Sequence, residues 1–280
     1  MPLDAERLRS LLVAPAGPLV RLEVVDEVGS TSSAMADDLR ADPAAWPDRS
    51  LLVAERQTAG RGRAGRSWQA PAGTSVTGTF AVRPALPAAA LGWLPLLAGL
   101  GVLRALRATA GVPAGLKWPN DVVLDCGPSD LPGWGRWRKA GGILTEVVPL
   151  RDGGSAVLVG VGINVTQRPD ELPVPSATSL ALAGARGVER ESVLVATVTA
   201  LAQVADRFAA AGGDAQAGGL ADEVAEACVT LGRDVHVELP GGRTVDGRAE
   251  RLDAAGALVV RTADGAELTV LAGDVLLVRG

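Results

Sequence analysis

The order of hydrophobic and polar positions along the chain predicts an α+β protein. Apolar runs of strand length, rich in Val, Leu and Thr, occupy residues 19–28, 50–57, 74–83, 141–150 and 156–165. Helical periodicity is found in residues 4–13, 32–41, 189–211 and 219–228. Ser30 and Thr31 precede the second of these helices, where a hydroxyl group caps free backbone N–H groups. We predict a mixed β-sheet with helices on one side for residues 1–228.

The pattern changes near Arg233. From there to the end, short β-type runs alternate with the turn signals PGG, DAAG and ADG. This spacing predicts a small all-β barrel. We place it in residues 229–280, as a second domain.

The longest uncharged stretch, PALPAAALGWLPLLAGLGVL, lies between Arg83 and Arg104. Its length would suffice to cross a bilayer. Its prolines and its many Ala and Gly residues make it a poor membrane span, and Pro87 suits the first turn of a helix. We therefore predict a buried core helix and no membrane contact.

Charge is unevenly distributed in this chain. The net charge of −5 argues against a general polyanion-binding protein. No acidic residue lies between Glu55 and Asp121, however, and every charged residue of that tract is Arg or Lys. Such a tract suits a phosphate or carboxylate ligand, and the alternative is a solvated surface.

Cysteine and histidine are too scarce for several kinds of chemistry. Cys126 and Cys228 lie far apart, and His236 is the only histidine. The sequence therefore argues against a disulfide framework, a Cys/His metal centre and a Ser-His-Asp triad. The start MPLDAERLRS shows no signal peptide, so we expect a cytoplasmic protein.

The segment AERQTAGRGRAGRSWQA (54–70) places three glycines in G-x-G-x-x-G spacing within the basic tract. A dinucleotide fingerprint or a P-loop needs a helix directly after the glycines, whereas a proline and strand-like Thr and Val residues follow here. An RNA-binding segment would carry more aromatic residues than Trp68 alone. We interpret the segment as a strand–loop–strand that cradles an anionic substrate with backbone N–H groups and guanidinium groups.

The motif QTAGRGRAGRSW resembles the G-R-G-R-x-G-R-x-W signature of biotin protein ligases. KWPNDV (117–122), RKAGGILTE (138–146) and VGVGINV (159–165) resemble further blocks of that family, in its order, and the last fifty or so residues are similar to its SH3-like C-terminal domain. The only lysines and asparagines of this Arg-rich chain all lie in these blocks: Lys117, Lys139, Asn120 and Asn164. An otherwise Arg-rich chain thus uses lysine only in these blocks, where a compact ammonium and a planar guanidinium would not be interchangeable.

The resemblance implies the class II synthetase-like fold of biotin and lipoate ligases and a reaction in two steps. Biotin and ATP give biotinyl-5′-adenylate and pyrophosphate, and a lysine of a biotin carboxyl carrier domain of a carboxylase then takes the biotinyl group. Cations must neutralise the carboxylate and the α-phosphate as they meet. Similarity assigns this catalytic task to Arg63 and Lys139, with Arg66 at the phosphate.

For biotin, the family uses a Ser-Thr-Asn run, a Gln before the glycine loop and main-chain groups. This sequence departs from the pattern, because Ser32 stands at the Asn position. The implied biotin-binding residues are Ser30, Thr31, Ser32, Gln57, Gly60, Arg61, Gly141 and Gly142.

For ATP, the resemblance implies an adenylate site and one Mg²⁺ ion. Trp68 offers a flat face to adenine, or else packs in the core, and the two asparagines offer donor and acceptor edges. Asp121 would bind the Mg²⁺, directly or through water. Lys117 is either a phosphate contact or a charge at a strand end. The implied ATP-binding residues are Arg63, Arg66, Trp68, Asn120, Lys139 and Asn164.

Other functions compete with this interpretation. Regulatory members of the family carry an N-terminal DNA-binding domain, and residues 1–18 are too few for one, so we expect the monofunctional type without a nucleic-acid partner. Lipoate ligases and octanoyltransferases share the fold, but the G-R-G-R-x-G-R signature argues against them. A catalytically silent module that binds biotin or nucleotides is the alternative from another class, and turnover distinguishes it.

Residues 126–138 (CGPSDLPGWGRWR) form a Gly-, Pro- and Trp-rich loop between two of the blocks. We predict a mobile flap that the ligands order, with Trp134 and Trp137 closing over them. Limited proteolysis tests this, because cleavage within the loop should slow when biotin and ATP are added together. A cleavage rate that the ligands leave unchanged would count against a flap.

Overall fold

The computed structural model describes residues 2–83, 86–128 and 130–278. Its larger sheet is mixed and has the strand order β1-β2-β3-β7-β6-β5-β4. Strands β1 and β2 pair in parallel and all other neighbours are antiparallel. The strands are β1 (Arg21–Val28), β2 (Ser50–Gln57), β3 (Ser75–Val82), β4 (Ala114–Lys117), β5 (Asp121–Asp125), β6 (Trp137–Pro149) and β7 (Ser155–Asn164).

Four helices cover one face of this sheet and form the main core with it. The most buried of them includes Leu103 and Leu106, which are fully enclosed. Burial of such side chains stabilises the fold by about 1.5–3 kcal/mol each. The four helices are α1 (Ala5–Leu12), α3 (Leu94–Thr109), α4 (Arg190–Ala210) and α5 (Leu220–Ala227).

The apolar stretch after Arg83 forms the short 3₁₀-helix Ala88–Trp93 and then α3, and it is a core helix as the sequence predicted. Positions 84 and 85 of that stretch lie outside the described residues. The helical stretches Ala88–Thr109 and Arg190–Ala210 are long and apolar enough to cross a membrane by length and composition alone. In the first, 67% of the apolar window is buried inside the protein.

The prediction that the helices lie on one side of the sheet is wrong for helix α2 (Thr31–Ala41). It packs on the opposite face, where Met35 and Leu39 are enclosed with Leu52 and Leu158 in a second core cluster. Successive strand residues point to opposite faces, so Leu52 turns toward α2 while its neighbours Leu51 and Val53 turn toward the main core. Both sheet faces are apolar here, which the short apolar runs alone did not reveal.

The C-terminal part forms a second sheet of five antiparallel strands in the order β11-β10-β9-β8-β12. It agrees with the predicted small β domain, and the division between residues 228 and 229 stays a prediction. The backbone N–H of Val229 donates to Leu116 of β4, so the chain contacts the edge of the larger sheet just before the second sheet begins. The strands are β8 (Asp234–Glu238), β9 (Thr244–Leu252), β10 (Leu258–Arg261), β11 (Glu267–Val270) and β12 (Asp274–Leu277).

Two buried tryptophans join the larger domain to the second sheet. The indole N–H of Trp93 donates to the carbonyl oxygen of Ala254 at 2.8 Å, and that of Trp118 donates to the carbonyl of Gly256 at 3.2 Å. Both acceptors lie in the turn between β9 and β10. Because each side chain is almost fully buried, loss of its partner would leave an unsatisfied polar group in the interior.

Residues 126–138, predicted as a flap, are closely folded in their described part. The backbone N–H groups of Trp134 and Gly135 donate to Leu131, and that of Leu277 in β12 donates to Gly133. Position 129 lies outside the described residues. The segment 130–137, called the flap below, therefore lies between the larger domain and β12.

Replacement of Trp93 by Phe should lower the free energy of unfolding by about 1–3 kcal/mol, because it removes a buried hydrogen bond and leaves space beside Ala254. Urea denaturation measures the change. Leu182→Ala, at a side chain that is 44% exposed, is the control and should change the stability by less than about 0.5 kcal/mol. Equal effects of the two substitutions would contradict the role assigned to Trp93.

Candidate active site

A cavity of about 490 Å³ opens on the face of the larger sheet that carries α2. Several parts of the chain surround it: the start of α2, the glycine loop between β2 and β3, the central strands β3, β6 and β7, the β4–β5 hairpin, Trp134 and the segment 173–177. Strand β12 of the second sheet closes it with Asp274, Val275 and Leu276. The cavity thus draws on segments from Ser30 to Leu276.

Glycines form the floor of this cavity. In β7, Gly160 and Gly162 face the cavity while Val159 and Ile163 face the main core. A Cβ atom on Gly162 would lie 2.6 Å from Cζ2 of Trp68, and one on Gly160 would lie 2.9 Å from Oγ of Ser32. The missing side chains therefore leave the space in which Trp68 lies and the cavity opens.

The glycine loop has the strand–loop–strand form that its sequence predicted, with β2 ending at Gln57 and β3 beginning at Ser75. Its backbone closes on itself, because Trp68 donates to Gly60 at 2.8 Å and Gly62 donates to Arg66 at 2.6 Å. No helix long enough for a dinucleotide or P-loop site follows the glycines; the described loop holds only the three-residue turn Arg63–Gly65.

Hydroxyl groups are linked at the α2 end of the cavity. The Oγ1 atom of Thr79 lies 2.7 Å from Thr31 Oγ1 and 2.9 Å from Ser32 Oγ. The backbone N–H and the hydroxyl of Thr31 both approach Oε1 of Gln57, at 2.8 and 3.1 Å. Ser30 caps α2, and its Oγ lies 3.4 Å from the N–H of Ser33. We call Thr31, Ser32, Gln57 and Thr79 the hydroxyl cluster.

The charged lining of the cavity is mainly basic, with five cationic and two anionic side chains among its described residues. Three of the cations already have acidic partners. Lys139 Nζ lies 2.6 Å from Oδ1 of Asp121, whereas Arg66 pairs with Asp274 and Arg61 pairs with Glu146. An anionic ligand would meet cations whose present partners can be exchanged.

Arg63 is half-buried beside the hairpin and donates to Oδ1 of Asn120 at 3.1 Å. Burial lowers the pKa of its guanidinium, and the nearby carboxylates of Asp274 and Asp121 oppose that change. An arginine remains charged under such conditions. The Nδ2 group of Asn120 donates to the carbonyl of Ile143 at 2.7 Å, so this amide holds Arg63 against β6.

The side chains of both asparagines form hydrogen bonds within the protein, and their assignment to adenine stays a prediction. Asn164 donates to the carbonyl of Thr178 at 2.9 Å and accepts from Nε2 of Gln167 at 2.9 Å. Asn120 is bound in the same two-sided way. Both line the cavity, but their hydrogen bonds position neighbouring segments.

Trp68 lies on the glycine floor, with its ring against Gly142 and Gly162. Its indole N–H is buried and has no hydrogen-bond partner within the described part of the chain. A buried donor without a partner is costly. The ring is only half-buried, so it is a wall of the cavity rather than a core side chain.

Lys117, at the end of β4, is 4% exposed and lines the cavity. Its Nζ lies 4.5 Å from the ring centre of Trp134 in the flap. Burial lowers the pKa of Lys117, and the negative charge of Asp121 partly opposes this change.

The structure brings most of the predicted site residues together. Gly60 and Gly141 do not line the cavity themselves; they lie beside it, where a Cβ atom would meet backbone oxygen atoms of Trp68 and Gly162, respectively. The predicted residues that line the cavity are Ser30, Thr31, Ser32, Gln57, Arg61, Arg63, Arg66, Trp68, Asn120, Asp121, Lys139, Gly142 and Asn164.

Two important residues of the site were missed in the sequence. Thr79 belongs to an ordinary Thr- and Val-rich strand, and only its contacts reveal its place in the hydroxyl cluster. Asp274 is 208 positions away from its partner Arg66. No local sequence pattern signals such a contact.

Comparison with known proteins agrees with the fold. A family model described as the biotin/lipoate A/B protein ligase family matches residues 27–164, and one described as the biotin protein ligase C terminal domain matches residues 230–278. The chain is 37% identical over 282 residues to the biotin--[acetyl-CoA-carboxylase] ligase of Mycobacterium tuberculosis, which covers 99% of this chain and 97% of that protein.

Two further relatives extend the comparison. The bifunctional ligase/repressor of Bacillus subtilis is 33% identical over 174 residues, which are 61% of this chain and 50% of that protein. The structure of the biotin protein ligase from Aquifex aeolicus in complex with biotin and ATP matches with a TM-score of 0.71 and 28% identity, over 94% of this chain and 100% of that one.

A mixed-sheet domain with an Arg-rich glycine loop, followed by a small antiparallel sheet, defines a ligase of the biotin/lipoate type. Within that class, this chain belongs to the biotin protein ligase family.

Replacement of Gly162 by Ala should displace Trp68, because the new methyl group would overlap the indole ring. We expect tryptophan fluorescence and the crystal structure of the variant to report a moved ring and a narrower cavity. Gly29→Ala is the matched control, since a Cβ atom at Gly29 meets nothing within 4 Å. An unmoved Trp68 in the Gly162 variant would contradict the floor described here.

Proposed function

We propose that this protein activates biotin with ATP and transfers it to a lysine of a biotin carboxyl carrier domain. The observation that carries the proposal is one cavity that joins the hydroxyl cluster to Arg63 and Lys139. Support comes from the family and from the relatives named above, one of which binds biotin and ATP in its structure.

The first step joins two anions. An oxygen of the biotin carboxylate attacks the α-phosphorus of ATP, a new P–O bond forms, and the bond to the β-phosphate breaks as pyrophosphate leaves. Arg63 and Lys139 neutralise the carboxylate and the α-phosphate, and Arg66 assists at the phosphate. Lys139 is held ready by Asp121 and Arg63 by Asn120, so both cations are positioned before substrate enters.

The second step transfers the biotinyl group. The neutral amine of the carrier lysine attacks the carbonyl carbon of the adenylate, an amide bond forms, AMP leaves with the electrons of the broken C–O bond, and the amine nitrogen loses one proton to solvent. The partner of this step is a carrier domain of a biotin-dependent carboxylase. Its lysine must reach Arg63 and Lys139 through the open side of the cavity.

Biotin recognition falls to the hydroxyl cluster and the backbone around it. A neutral ureido ring needs a few directed hydrogen bonds in an otherwise apolar slot. Thr31 and Ser32 supply such groups, and Thr79 holds both hydroxyls in place. Ser32, which stands at the family's Asn position, can serve because Thr79 fixes its Oγ. Gln57 orients Thr31, and Ser30, Gly60, Arg61, Gly141 and Gly142 complete this end of the site.

ATP would stack its adenine against Trp68, with Asn120 and Asn164 positioning the surrounding segments. No group of three or more metal-binding side chains occurs among the described residues. Mg²⁺ bound to ATP needs only one or two carboxylates besides phosphate oxygens, and Asp121, with Asp274 across the cavity, fits this requirement. When bound, Mg²⁺ would neutralise phosphate charge.

The alternatives make different demands on the site. A lipoate or octanoate ligase would bind a flexible acyl chain and would have no use for the hydroxyl cluster. A silent binding module would not need Lys139 and Asp121 paired beside Arg63. We propose a cytoplasmic enzyme without a nucleic-acid or membrane partner, as expected from the net charge of −5.

Exchange of labelled pyrophosphate into ATP tests the first step. We expect exchange that depends on biotin and not on lipoate or octanoate. Lys139→Ala should reduce it by about 10²–10³-fold, because a cation at the developing charge is lost. Arg151→Ala is the control; this exposed Arg lies just beyond the other end of β6 and should leave exchange unchanged.

The outcomes separate the alternatives. Exchange with lipoate or octanoate in place of biotin would show that the protein activates a different acid by the same reaction. Biotin binding without exchange of any acid would indicate a binding module and refute the ligase proposal.

A further inference from the structure

Lys117 differs from the other cations of the cavity because its side chain is largely enclosed and its ammonium, which lines the cavity, has no polar partner among the described residues. The structure gives Arg61, Arg66 and Lys139 each a carboxylate. Arg63 has the amide oxygen of Asn120. In residues 2–83, 86–128 and 130–278, Lys117 has no ion pair or hydrogen bond from its Nζ, which lies 4.5 Å from the ring centre of Trp134.

Burial of an unpaired ammonium is unfavourable. A cation–π contact with Trp134 offsets only part of the cost, since such contacts contribute about 0.5–2 kcal/mol. A lysine at a strand end could avoid the cost by extending into solvent, but Lys117 is 4% exposed and lines the cavity. The ammonium is therefore placed to receive an anion that enters the cavity.

The surroundings of Lys117 identify which anion. In the backbone register of the β4–β5 hairpin, Lys117 lies opposite Asp121. Its side chain therefore lies beside the ion pair of Asp121 and Lys139. The other charges that act on its ammonium are those of Asp274 and Arg66, on the side closed by β12. Lys117 thus lies among the groups assigned to phosphate and Mg²⁺, and the hydroxyl cluster is formed by other segments.

We propose that Lys117 binds the β- and γ-phosphates of ATP, and so the pyrophosphate that leaves in the first step, with Trp134 as the cover of this subsite. The inference rests on the proposed function. As the bond between the α-phosphorus and its bridging oxygen breaks, negative charge grows on the leaving pyrophosphate, and the ammonium of Lys117 stabilises it.

The effect of Lys117 is confined to the half-reaction that contains pyrophosphate. Transfer from biotinyl-5′-adenylate to the carrier lysine involves only the acyl group and AMP. Replacement of Lys117 by Met keeps the apolar stem and removes the charge. We expect Lys117→Met to raise the KM for ATP and for pyrophosphate in the exchange reaction by about tenfold or more, as loss of a charged hydrogen bond does.

The test compares two half-reactions in the full-length protein. Exchange of labelled pyrophosphate, measured against pyrophosphate and ATP concentration, follows the first; transfer of biotin from chemically prepared biotinyl-5′-adenylate to a carrier domain follows the second. We expect Lys117→Met to weaken pyrophosphate exchange and to leave the rate of transfer from biotinyl-5′-adenylate unchanged. Arg136→Met is the matched control, since this exposed cation of the flap pairs with Asp125 and does not line the cavity.

Normal KM values for ATP and pyrophosphate in Lys117→Met would overturn the proposal, as would an equal loss in both half-reactions. If that variant does not fold, as judged by thermal melting, Trp134→Leu takes its place and should raise the KM for pyrophosphate without slowing transfer. Absence of biotin-dependent exchange in the wild-type protein refutes the proposed function itself, which distinguishes the two failures.

Discussion

The site depends on one constraint: the central strand β7 must have no side chains where Trp68 and Ser32 approach it. Strand β7 meets this with Gly160 and Gly162, and the intervening positions carry the apolar residues of the main core. The alternation of a β-strand allows a single segment to build the core on one face and a bare floor on the other. Trp68 can lie on that floor only because Gly162 lacks a side chain. The glycine loop is thereby held over the strands that carry Lys139, and the cations are brought near one another.

The second sheet is part of the active site as well as of the fold. Trp93 and Trp118 join it to the larger domain through buried hydrogen bonds, and this connection sets β12 against the cavity. From there Asp274 pairs with Arg66, and the backbone of Leu277 pairs with Gly133 of the flap. The C-terminal domain therefore closes the side of the cavity that carries Arg66, and its displacement would open that side and release Arg66.

Most cations of the cavity are paired with carboxylates of the protein. Lys139 and Arg66 are held by carboxylates, and a pair of this kind orients a side chain but can give way to a more highly charged phosphate. These pairs are partly exposed, so each contributes little to stability and is readily exchanged. Lys117 has no carboxylate partner among the described residues and lies beside Trp134.

The sequence by itself determined the segments that carry the chemistry. The absence of a helix after Gly65 excluded the dinucleotide fold, and the ordered blocks around Arg63, Lys139 and Asn164 predicted the family. These inferences succeed because strand and loop character are local properties. The tertiary structure alone decided the place of α2 on the opposite face, the engagement of both asparagines, and the roles of Thr79 and Asp274. Such contacts join residues far apart in the chain, and they follow from packing and charge pairing, which no local pattern encodes.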